Sequence, residues 1–306
     1  MRITTLISSL RHGVRSKPDR RGGHSRRGLA AALLFGCGLL QGGARAQDAN
    51  AGDPLELVDS HVFRACADPR NLPFSNEAGE GFENKIADMF AKKLGKGLAY
   101  TFYPGATGFI RNTLNARRCD VVMGIALGDD VVQPTNPYYR TAYVATYAKG
   151  GPMADLDSLS DPRLKTAKIG VIAGTPPVNY LAVNGLLGHI KSYALVVDTR
   201  FESPNAEMMD DLDKGVIDVA LMWGPIAGYY AGKTKTAMAL VPLIKETGGP
   251  KLVYRIAMGV RHSDQNWKRD LNKMISEQRS QMDAILQSYG VPLLDENDKP
   301  LAAAKP

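Results

Sequence analysis

Short apolar runs and amphipathic stretches follow one another along the first half of the chain. The runs "VFRACA" and "DVVMGIA" are apolar and bounded by turn residues, which is typical of buried strands. Between them, "FENKIADMFAKKLG" places Phe82, Ile86 and Phe90 on one helical face, and Gly95 marks its end. With a strand at "LAYTFYP" and a helix at "GFIRNTLNARR", the order predicts a parallel sheet flanked by helices.

A second strand–helix series begins after a long extended segment, "YYRTAYVATYAKGG". Strands are predicted at "AKIGVIAG", "YALVVD", "VIDVALMWG" and "MALVPLI", with helices at "TPPVNYLAVNGL", "NAEMMDDLDKG" and "PIAGYYAG". Thr175 is the expected N-cap of the first of these helices, and Pro176 its first residue. The strand "LVYRIAMGVRHSD" then returns, and one long helix is predicted over residues 264–289.

Two such series joined in mid-chain predict an α/β protein with two lobes, each a parallel-rich sheet flanked by helices. We assign residues 54–148 and 251–298 to lobe 1, residues 149–250 to lobe 2 and residues 299–306 to a polar tail. Ligands of open α/β sheets bind beyond the carboxyl ends of the strands, so the cleft between the lobes is the expected site.

The first 46 residues have the composition of a cleavable signal peptide. Basic residues precede a short apolar run at residues 28–40, and Ala44 and Ala46 stand where a signal peptidase requires small residues. We predict cleavage after Ala46, export to the periplasm and no transmembrane segment in the mature chain. Cys37 leaves a lipoprotein as the alternative.

Removal of this leader changes the charge of the protein. Residues 1–46 carry nine Lys or Arg and one Asp, so subtracting their +8 from the +7 of the whole chain leaves −1. A mature chain near neutrality lacks the basic surface of a nucleic-acid-binding protein. It also lacks the polybasic patch that attracts a protein to a membrane.

The mature sequence contains few of the residue patterns that enzymes use. Three histidines remain, and no HExxH, CxxC or His/carboxylate spacing indicates a bound metal. No GxSxG elbow and no glycine-rich phosphate loop with its lysine is present either. The sequence therefore predicts a protein that is not an enzyme and holds no cofactor.

Several stretches resemble the type II periplasmic solute-binding proteins of the amino-acid-receptor kind. "FRACADPRNLPFS" and "GEGFENKIADMFAKKLG" resemble the first strand, mouth loop and helix of that family, and "GVIDVALMWGPIA" resembles a strand of its second lobe. The combination of "ADPRNLPFSNEAGEGFENKIA", "RNTLNARRCDVVMG" and "NPYYRTAYV" resembles a narrower group, the MxaJ/XoxJ-type proteins. This resemblance implies a periplasmic accessory protein of PQQ-dependent methanol dehydrogenases, with the lanthanide-dependent enzymes as the favoured branch.

The chain departs from the amino-acid receptors at two positions of the cleft. In that family the loop after the third strand carries an arginine for the carboxylate of the ligand, whereas this chain has Asp129 and Asp130. Where the second lobe of the family has an aspartate for the ammonium group, this chain has Trp223. The resemblance thus implies the fold of a receptor without its zwitterion clamp.

The candidate residues of the cleft follow predicted strands or lie close to their ends. They are Asp68, Asn71, Phe74, Arg111, Met123, Asp129, Asp130, Tyr139, Arg140, Thr175, Glu202 and Trp223. Each of these could contact a ligand or a partner protein. The structural alternatives are a turn at Asn71, a surface ion pair at Arg111 and plain packing of Trp223.

Cys66 and Cys119 are the two cysteines of the mature chain, and an exported protein encounters oxidising conditions. On straight neighbouring strands they would lie about three residues apart in register, or roughly 10 Å, which is too far for a disulfide. A register shift or bulge would bring them together, so the pairing stays open.

Three functions remain for this sequence. The first is a non-catalytic accessory protein that binds a periplasmic PQQ-dependent methanol dehydrogenase and assists its assembly or activation. The second is the substrate-binding protein of an ABC transporter for a small neutral or cationic solute. The third, a dehydratase built on the receptor fold, would need a catalytic carboxylate in the cleft, for which Asp68, Asp129 and Glu202 are the candidates.

Overall fold

The computed structural model describes residues 56–128 and 130–301, all within one compact unit of the chain. The predicted leader, Asp129 and residues 302–306 of the predicted tail lie outside the described residues. The strands are β1 (Val62–Ala67), β2 (Arg70–Asn71), β3 (Ser75–Asn76), β4 (Gly97–Phe102), β5 (Val121–Ala126), β6 (Gln133–Ala148), β7 (Ile169–Ile172), β8 (Ile190–Tyr193), β9 (Val219–Trp223), β10 (Met238–Pro242) and β11 (Val253–Val260). The α-helices are α1 (Phe82–Lys93), α2 (Phe109–Asn112), α3 (Pro177–Val183), α4 (Pro204–Asp213), α5 (Gly224–Ala231), α6 (Gln265–Glu277) and α7 (Arg279–Ser288).

The main strands form a continuous sheet in the order β4-β1-β5-β11-β6-β9-β7-β8, and β10 pairs with β6. The strands β4, β1 and β5 run parallel in lobe 1, and β8, β7 and β9 run parallel in lobe 2. The returning strand β11 and the long strand β6 are antiparallel to their neighbours. The prediction of a two-lobed α/β fold with parallel-rich sheets is confirmed.

The 16-residue strand β6 connects the two halves of the sheet. Its first part pairs with β11 from Gln133 to Ala142, and its last part pairs with β9 and β10 from Tyr143 onward. This strand passes from one lobe into the other, so it positions the lobes around the cleft. The lobe boundaries at residues 148 and 250 stay a prediction.

Helix α1 shows how the local sequence produces its element. The Asn84 side chain accepts hydrogen bonds from the backbone N–H groups of Asn76 and Gly81, which fixes the first turn. Its buried face contains Phe82, Ile86 and Phe90, as the apolar spacing predicts. Gly95 has a φ of 64°, in the left-handed region, and ends the helix.

Both faces of the lobe 1 sheet are covered. Along β5, Val121 and Met123 belong to the large apolar core, whereas Val122 and Ile125 belong to a smaller cluster with Leu114. This alternation between two buried environments explains why β5 is an unbroken apolar run.

Two predicted helices are shorter or divided in the structure. Helix α2 ends at Asn112 instead of continuing through "NARR", because the chain turns there and Arg117 adopts a left-handed φ of 58°. The predicted long helix is divided at Gln278 into α6 and α7, although the sequence has neither Gly nor Pro there. Thr175 precedes the N-cap residue Pro176, so α3 begins at Pro177, one residue later than predicted.

The strand predicted at "YALVVD" lies earlier in the chain. The strand is β8, and the segment from Ala194 onward is a loop. Strand β8 pairs with β7 through all four residues of β7, which ends at Ile172 before the turn at Gly174. Beyond that point no neighbouring strand of the described chain continues the ladder, so the apolar residues after Tyr193 lie outside the sheet.

Cys66 and Cys119 form a disulfide, with their Cα atoms 5.4 Å apart. The register pairs Cys66 with Val122, three residues along from Cys119, as straight strands require. Cys119 nevertheless approaches Cys66 because it lies in the turn before β5 and not on an extension of the strand. Both cysteines are buried, so this bond ties the turn to the core.

Candidate functional site

A cavity of about 170 Å³ lies between the mouth loop of lobe 1 and the carboxyl ends of the lobe 2 strands. Lobe 1 contributes Arg70, Asn71 and Leu72, and most of the remaining wall comes from lobe 2. Four of the predicted site residues meet here: they are Asn71, Thr175, Glu202 and Trp223. Choosing residues near the carboxyl ends of strands therefore predicted four side chains that meet in the fold although they are far apart in the sequence.

Aromatic rings form the inner wall of this cavity. Trp223 at the end of β9 pairs in register with Tyr143 on β6, and their ring centroids are 5.2 Å apart. Tyr254 on β11 contacts both, at 5.5 Å from Trp223 and 6.4 Å from Tyr143. These edge-to-face contacts pack the three rings against one another.

The polar groups of this aromatic wall, the Trp223 indole and the Tyr143 hydroxyl, carry no charge. The indole N–H of Trp223 is buried and has no hydrogen-bond partner among the described residues. Burial raises the pKa of Tyr143 well above its usual value, so its hydroxyl stays protonated. The wall thus offers apolar surface and one unused donor, but no charge.

The outer edge of the cavity is formed by the loop that follows β8, residues 194–203, which we call the rim loop. Within it, the Arg200 guanidinium donates hydrogen bonds to both oxygens of the Asp198 carboxylate and, with the Arg200 backbone N–H, lowers the pKa of Asp198 to about 2. The positive charge of Arg70 in lobe 1 contributes to the same shift. Asp198 of the rim loop and Arg70 of lobe 1 therefore interact electrostatically across the cleft.

Apolar side chains of the rim loop point to solvent. Val196 is 73% exposed and Phe201 is 81% exposed, and Leu195 is partly exposed at the cavity wall. The Arg200 guanidinium lies 5.3 Å from the Phe201 ring centroid. Sequence reasoning missed this surface because "YALVVD" has the composition of a buried strand.

The other predicted residues of the mouth do not line the cavity. Asp68 accepts hydrogen bonds from the backbone N–H groups of Arg70 and Gly105, so it shapes the mouth loop. Phe74 is buried, and its ring centroid is 5.2 Å from that of Phe82. Met123 is buried as well, and its carbonyl oxygen accepts the Tyr138 hydroxyl.

The remaining predicted residues lie elsewhere. Arg111 on α2 and Asp130 are exposed and absent from the cavity wall, and Asp129 is outside the described residues. Tyr139 and Arg140 line a second cavity of lobe 1.

Glu83 in the first turn of α1 is a chemically unusual residue that the sequence did not single out. A Cβ atom on Gly124 would overlap its Oε1 atom, so the carboxylate rests directly on β5. Burial raises the pKa of Glu83 to about 7, and the nearby Asp68 charge adds to the effect. The sequence gives no sign of this, because an acidic residue in the first turn of a helix is common and is explained by its favourable interaction with the helix dipole.

Residues 56–128 and 130–301 contain no group of three or more His, Cys, Asp or Glu side chains placed to hold a metal ion. In the same part of the chain, no helix combines the length and the apolar character that crossing a membrane requires.

No protein-family model matches the chain. Protein MoxJ of Methylorubrum extorquens is 29% identical over 281 residues, which cover 86% of this chain and 93% of that protein. The crystal structure of the periplasmic binding protein XoxJ from Methylobacterium extorquens AM1 is 44% identical, has a TM-score of 0.66, and matches over 77% of this chain and 100% of its own.

More distant structures share the fold alone. MxaJ from Methlophaga aminisulfidivorans MPT is 24% identical with a TM-score of 0.65, covering 76% of this chain and 100% of its own. An ancestral cationic amino acid solute-binding protein is 22% identical with a TM-score of 0.59, covering 75% of this chain and 95% of its own. Because the XoxJ structure is similar over its full length, the chain belongs to the MxaJ/XoxJ-type proteins of the periplasmic solute-binding protein superfamily.

Proposed function

We propose that this protein is a non-catalytic accessory protein of methanol oxidation in the periplasm. It binds a PQQ-dependent methanol dehydrogenase and assists the assembly or activation of that enzyme, with the lanthanide-dependent form as the favoured partner. The relatives named MoxJ and XoxJ support the family setting of this proposal. The geometry of the cleft supports binding of a protein over capture of a solute.

The observation that carries the proposal is the aromatic wall of the cavity. Trp223 occupies the end of β9, with Tyr143 and Tyr254 packed against it. The cavity of about 170 Å³ is smaller than the roughly 300–1,000 Å³ of most small-molecule sites. An amino acid would therefore find little room and aromatic rings at the end of β9, where the resemblance to its receptors implies a charged side chain. The charged residues of the lining are Arg70 and Glu202.

The rim loop supplies surface that suits a protein partner. Val196 and Phe201 are exposed on the same loop, and exposed apolar patches and aromatic anchors are typical of protein interfaces. The Asp198–Arg200 pair and the contact between Arg200 and Phe201 place charged groups beside this apolar surface.

Binding to the purified dehydrogenase tests this proposal directly. We expect Val196→Glu and Phe201→Glu each to raise the Kd for the enzyme by at least about tenfold, because a charge would be buried in the interface. Val183→Glu is the matched control, since Val183 is 83% exposed on α3 outside the rim loop. Equal binding by all three variants would place the interface elsewhere, and no binding by the unmodified protein would refute the proposal.

The alternative is a substrate-binding protein for a small neutral or cationic solute. Glu202 and Asn71 favour it, because both are polar and line the cavity from different lobes. A solute that binds the folded state raises Tm by mass action. A saturable rise in Tm with a neutral or cationic solute, abolished by Glu202→Gln, would support transport over docking.

A further inference from the structure

A second and larger cavity of about 420 Å³ lies in lobe 1 and shares no lining residue with the cavity of the cleft. Its volume is within the roughly 300–1,000 Å³ of small-molecule sites. It is lined by Pro137, Tyr139, Arg140, Arg255, Arg279, Asp283, Leu293, Leu294, Asp295, Glu296 and Leu301. We call it the lobe 1 pocket.

Two arginines face each other across neighbouring strands at this pocket. Arg140 on β6 and Arg255 on β11 are direct partners in the antiparallel register, so their side chains leave the same face of the sheet. Like charges in this position destabilise a strand pair. A third arginine, Arg279 on α7, donates to the carbonyl oxygen of Tyr138 at the same pocket.

Carboxylates lie at the same pocket, and two of the three arginines are engaged by them. Arg140 forms an ion pair with Asp298, and Arg279 lies close enough to Asp283 to oppose the rise that burial causes in the pKa of that carboxyl. The Asp295 carboxylate accepts the backbone N–H groups of Asn297 and Lys299.

Arg255 differs from the other two arginines of the pocket. Its guanidinium forms no ion pair and no hydrogen bond with any residue in 56–128 or 130–301, although Glu296 lines the same pocket. A guanidinium presents several donors in a planar fork that matches a carboxylate at two oxygens. Arg255 is therefore the free cation of the pocket as the described residues form it.

Four apolar side chains form a further part of the wall. Leu293 and Leu294 are buried, and Pro137 and Leu301 border the same space. The Leu294 backbone N–H donates to the Arg140 carbonyl oxygen, which fixes the apolar wall beside the arginines. The pocket thus places the guanidinium of Arg255 beside an apolar wall.

We propose that the lobe 1 pocket binds a small organic acid, with its carboxylate on Arg255 and its apolar body against Leu293 and Leu294. Of the two facing arginines, Arg140 already has an ion-pair partner in Asp298, and the bound carboxylate would provide one for Arg255. This site is independent of the cleft and of the proposed contact with a dehydrogenase.

Calorimetric titration of the mature protein with straight-chain carboxylates tests the site. We expect saturable binding of octanoate, with each methylene beyond butyrate lowering the Kd by about threefold to fourfold through apolar burial. Octan-1-ol, which has the same chain without the charge, should bind at least about tenfold more weakly. No saturation by octanoate up to about 10 mM, or equal binding of the alcohol, would overturn the proposal.

Three variants locate the bound acid. Arg255→Gln should weaken octanoate binding by about tenfold or more, because the charged hydrogen bonds are lost. Arg118→Gln is the matched control at another exposed arginine, and Trp223→Phe alters only the cleft. Both should bind as the unmodified protein does. Binding that is lost in Trp223→Phe but retained in Arg255→Gln would place the acid in the cleft and refute the lobe 1 pocket.

Discussion

At the scale of single residues, Asp120 joins three segments of lobe 1 through a buried carboxylate. It accepts hydrogen bonds from Arg64 on β1 at 2.7 Å and from Arg261 after β11 at 2.6 Å. Its backbone carbonyl oxygen accepts the indole N–H of Trp267 on α6. Its side chain is only 1% exposed, and Arg261 also forms an ion pair with the equally buried Asp264 at 2.7 Å, so two guanidinium groups share two buried carboxylates.

Replacing Asp120 with Asn should lower the free energy of unfolding by about 1–3 kcal/mol, the cost of disrupting buried hydrogen bonds to charged groups. The variant leaves buried Arg261 with Asp264 as its remaining counter-charge. Asp270→Asn is the control, because Asp270 is exposed on α6. Urea unfolding followed by circular dichroism measures both, and equal midpoints would show that the Asp120 network contributes little.

The pH dependence of stability should report on Glu83. Its pKa is about 7 in the folded protein and 4.5 for the ordinary side chain, so between these values the folded state binds more protons than the unfolded state. Stability is therefore highest below about pH 4.5 for this group and falls as pH rises towards 7. Glu83→Gln should flatten that part of the profile.

The control for this titration is Glu77→Gln, because Glu77 is exposed in the mouth loop. Thermal unfolding across about pH 4 to 8 compares the three proteins. A Glu83→Gln profile that keeps the slope of the unmodified protein would contradict the raised pKa.

At the scale of elements, α5 of lobe 2 packs directly on the chain that follows α7 of lobe 1. A Cβ atom on Gly228 would overlap the Gly290 carbonyl oxygen, so the two backbones touch. Close by, the rings of Tyr229 and Tyr289 are stacked with centroids 6.5 Å apart. Together with β6, this contact connects the lobes at a second place and opposes free opening of the cleft.

Gly228→Ala should therefore destabilise the protein by about 1–3 kcal/mol, because the methyl group must displace backbone. Gly232→Ala at the end of the same helix should be tolerated, since its nearest neighbour would lie 3.6 Å away and its φ is −67°. Denaturant unfolding gives both values, and small-angle X-ray scattering gives the separation of the lobes. If Gly228→Ala behaves like Gly232→Ala, the contact is not tight in solution.

At the scale of the whole molecule, the positive charge is concentrated in the predicted leader, and the two cavities lie apart from each other. The predicted leader carries a net charge of +8 and the predicted mature chain −1, so the basic character of the whole sequence comes from the leader. Within the described chain, the cleft with its rim loop and the lobe 1 pocket have no lining residue in common. Binding at the two proposed sites would therefore not compete for side chains.

Export should produce a mature protein that begins at Gln47. We expect intact-mass measurement of periplasmic protein to show loss of residues 1–46, and Ala46→Asp to block cleavage because the peptidase requires a small residue there. Ala51→Asp, which introduces the same charge beyond the cleavage site, should be processed normally. Full-length protein in the periplasm, or equal processing of the two variants, would refute the proposed site.

The sequence by itself determined the two-lobed α/β order and four residues of the cleft cavity. Burial along a strand or helix depends on the local apolar period, so α1 and β5 could be predicted from neighbouring residues alone. The convergence of Asn71 and Thr175 follows from the general rule that strand ends form the site. The family motifs narrowed the fold to a known superfamily.

The tertiary structure alone decided where β8 ends, how Cys119 reaches Cys66 and which arginine of the lobe 1 pocket lacks a partner among the described residues. A strand continues only while a neighbour supplies its hydrogen bonds, so "YALVVD" becomes an exposed rim loop despite its composition. The facing of Arg140 and Arg255 depends on the register of two strands that are far apart in the sequence. Long-range pairing fixes such features, because no local pattern in the sequence specifies which distant segment will lie alongside.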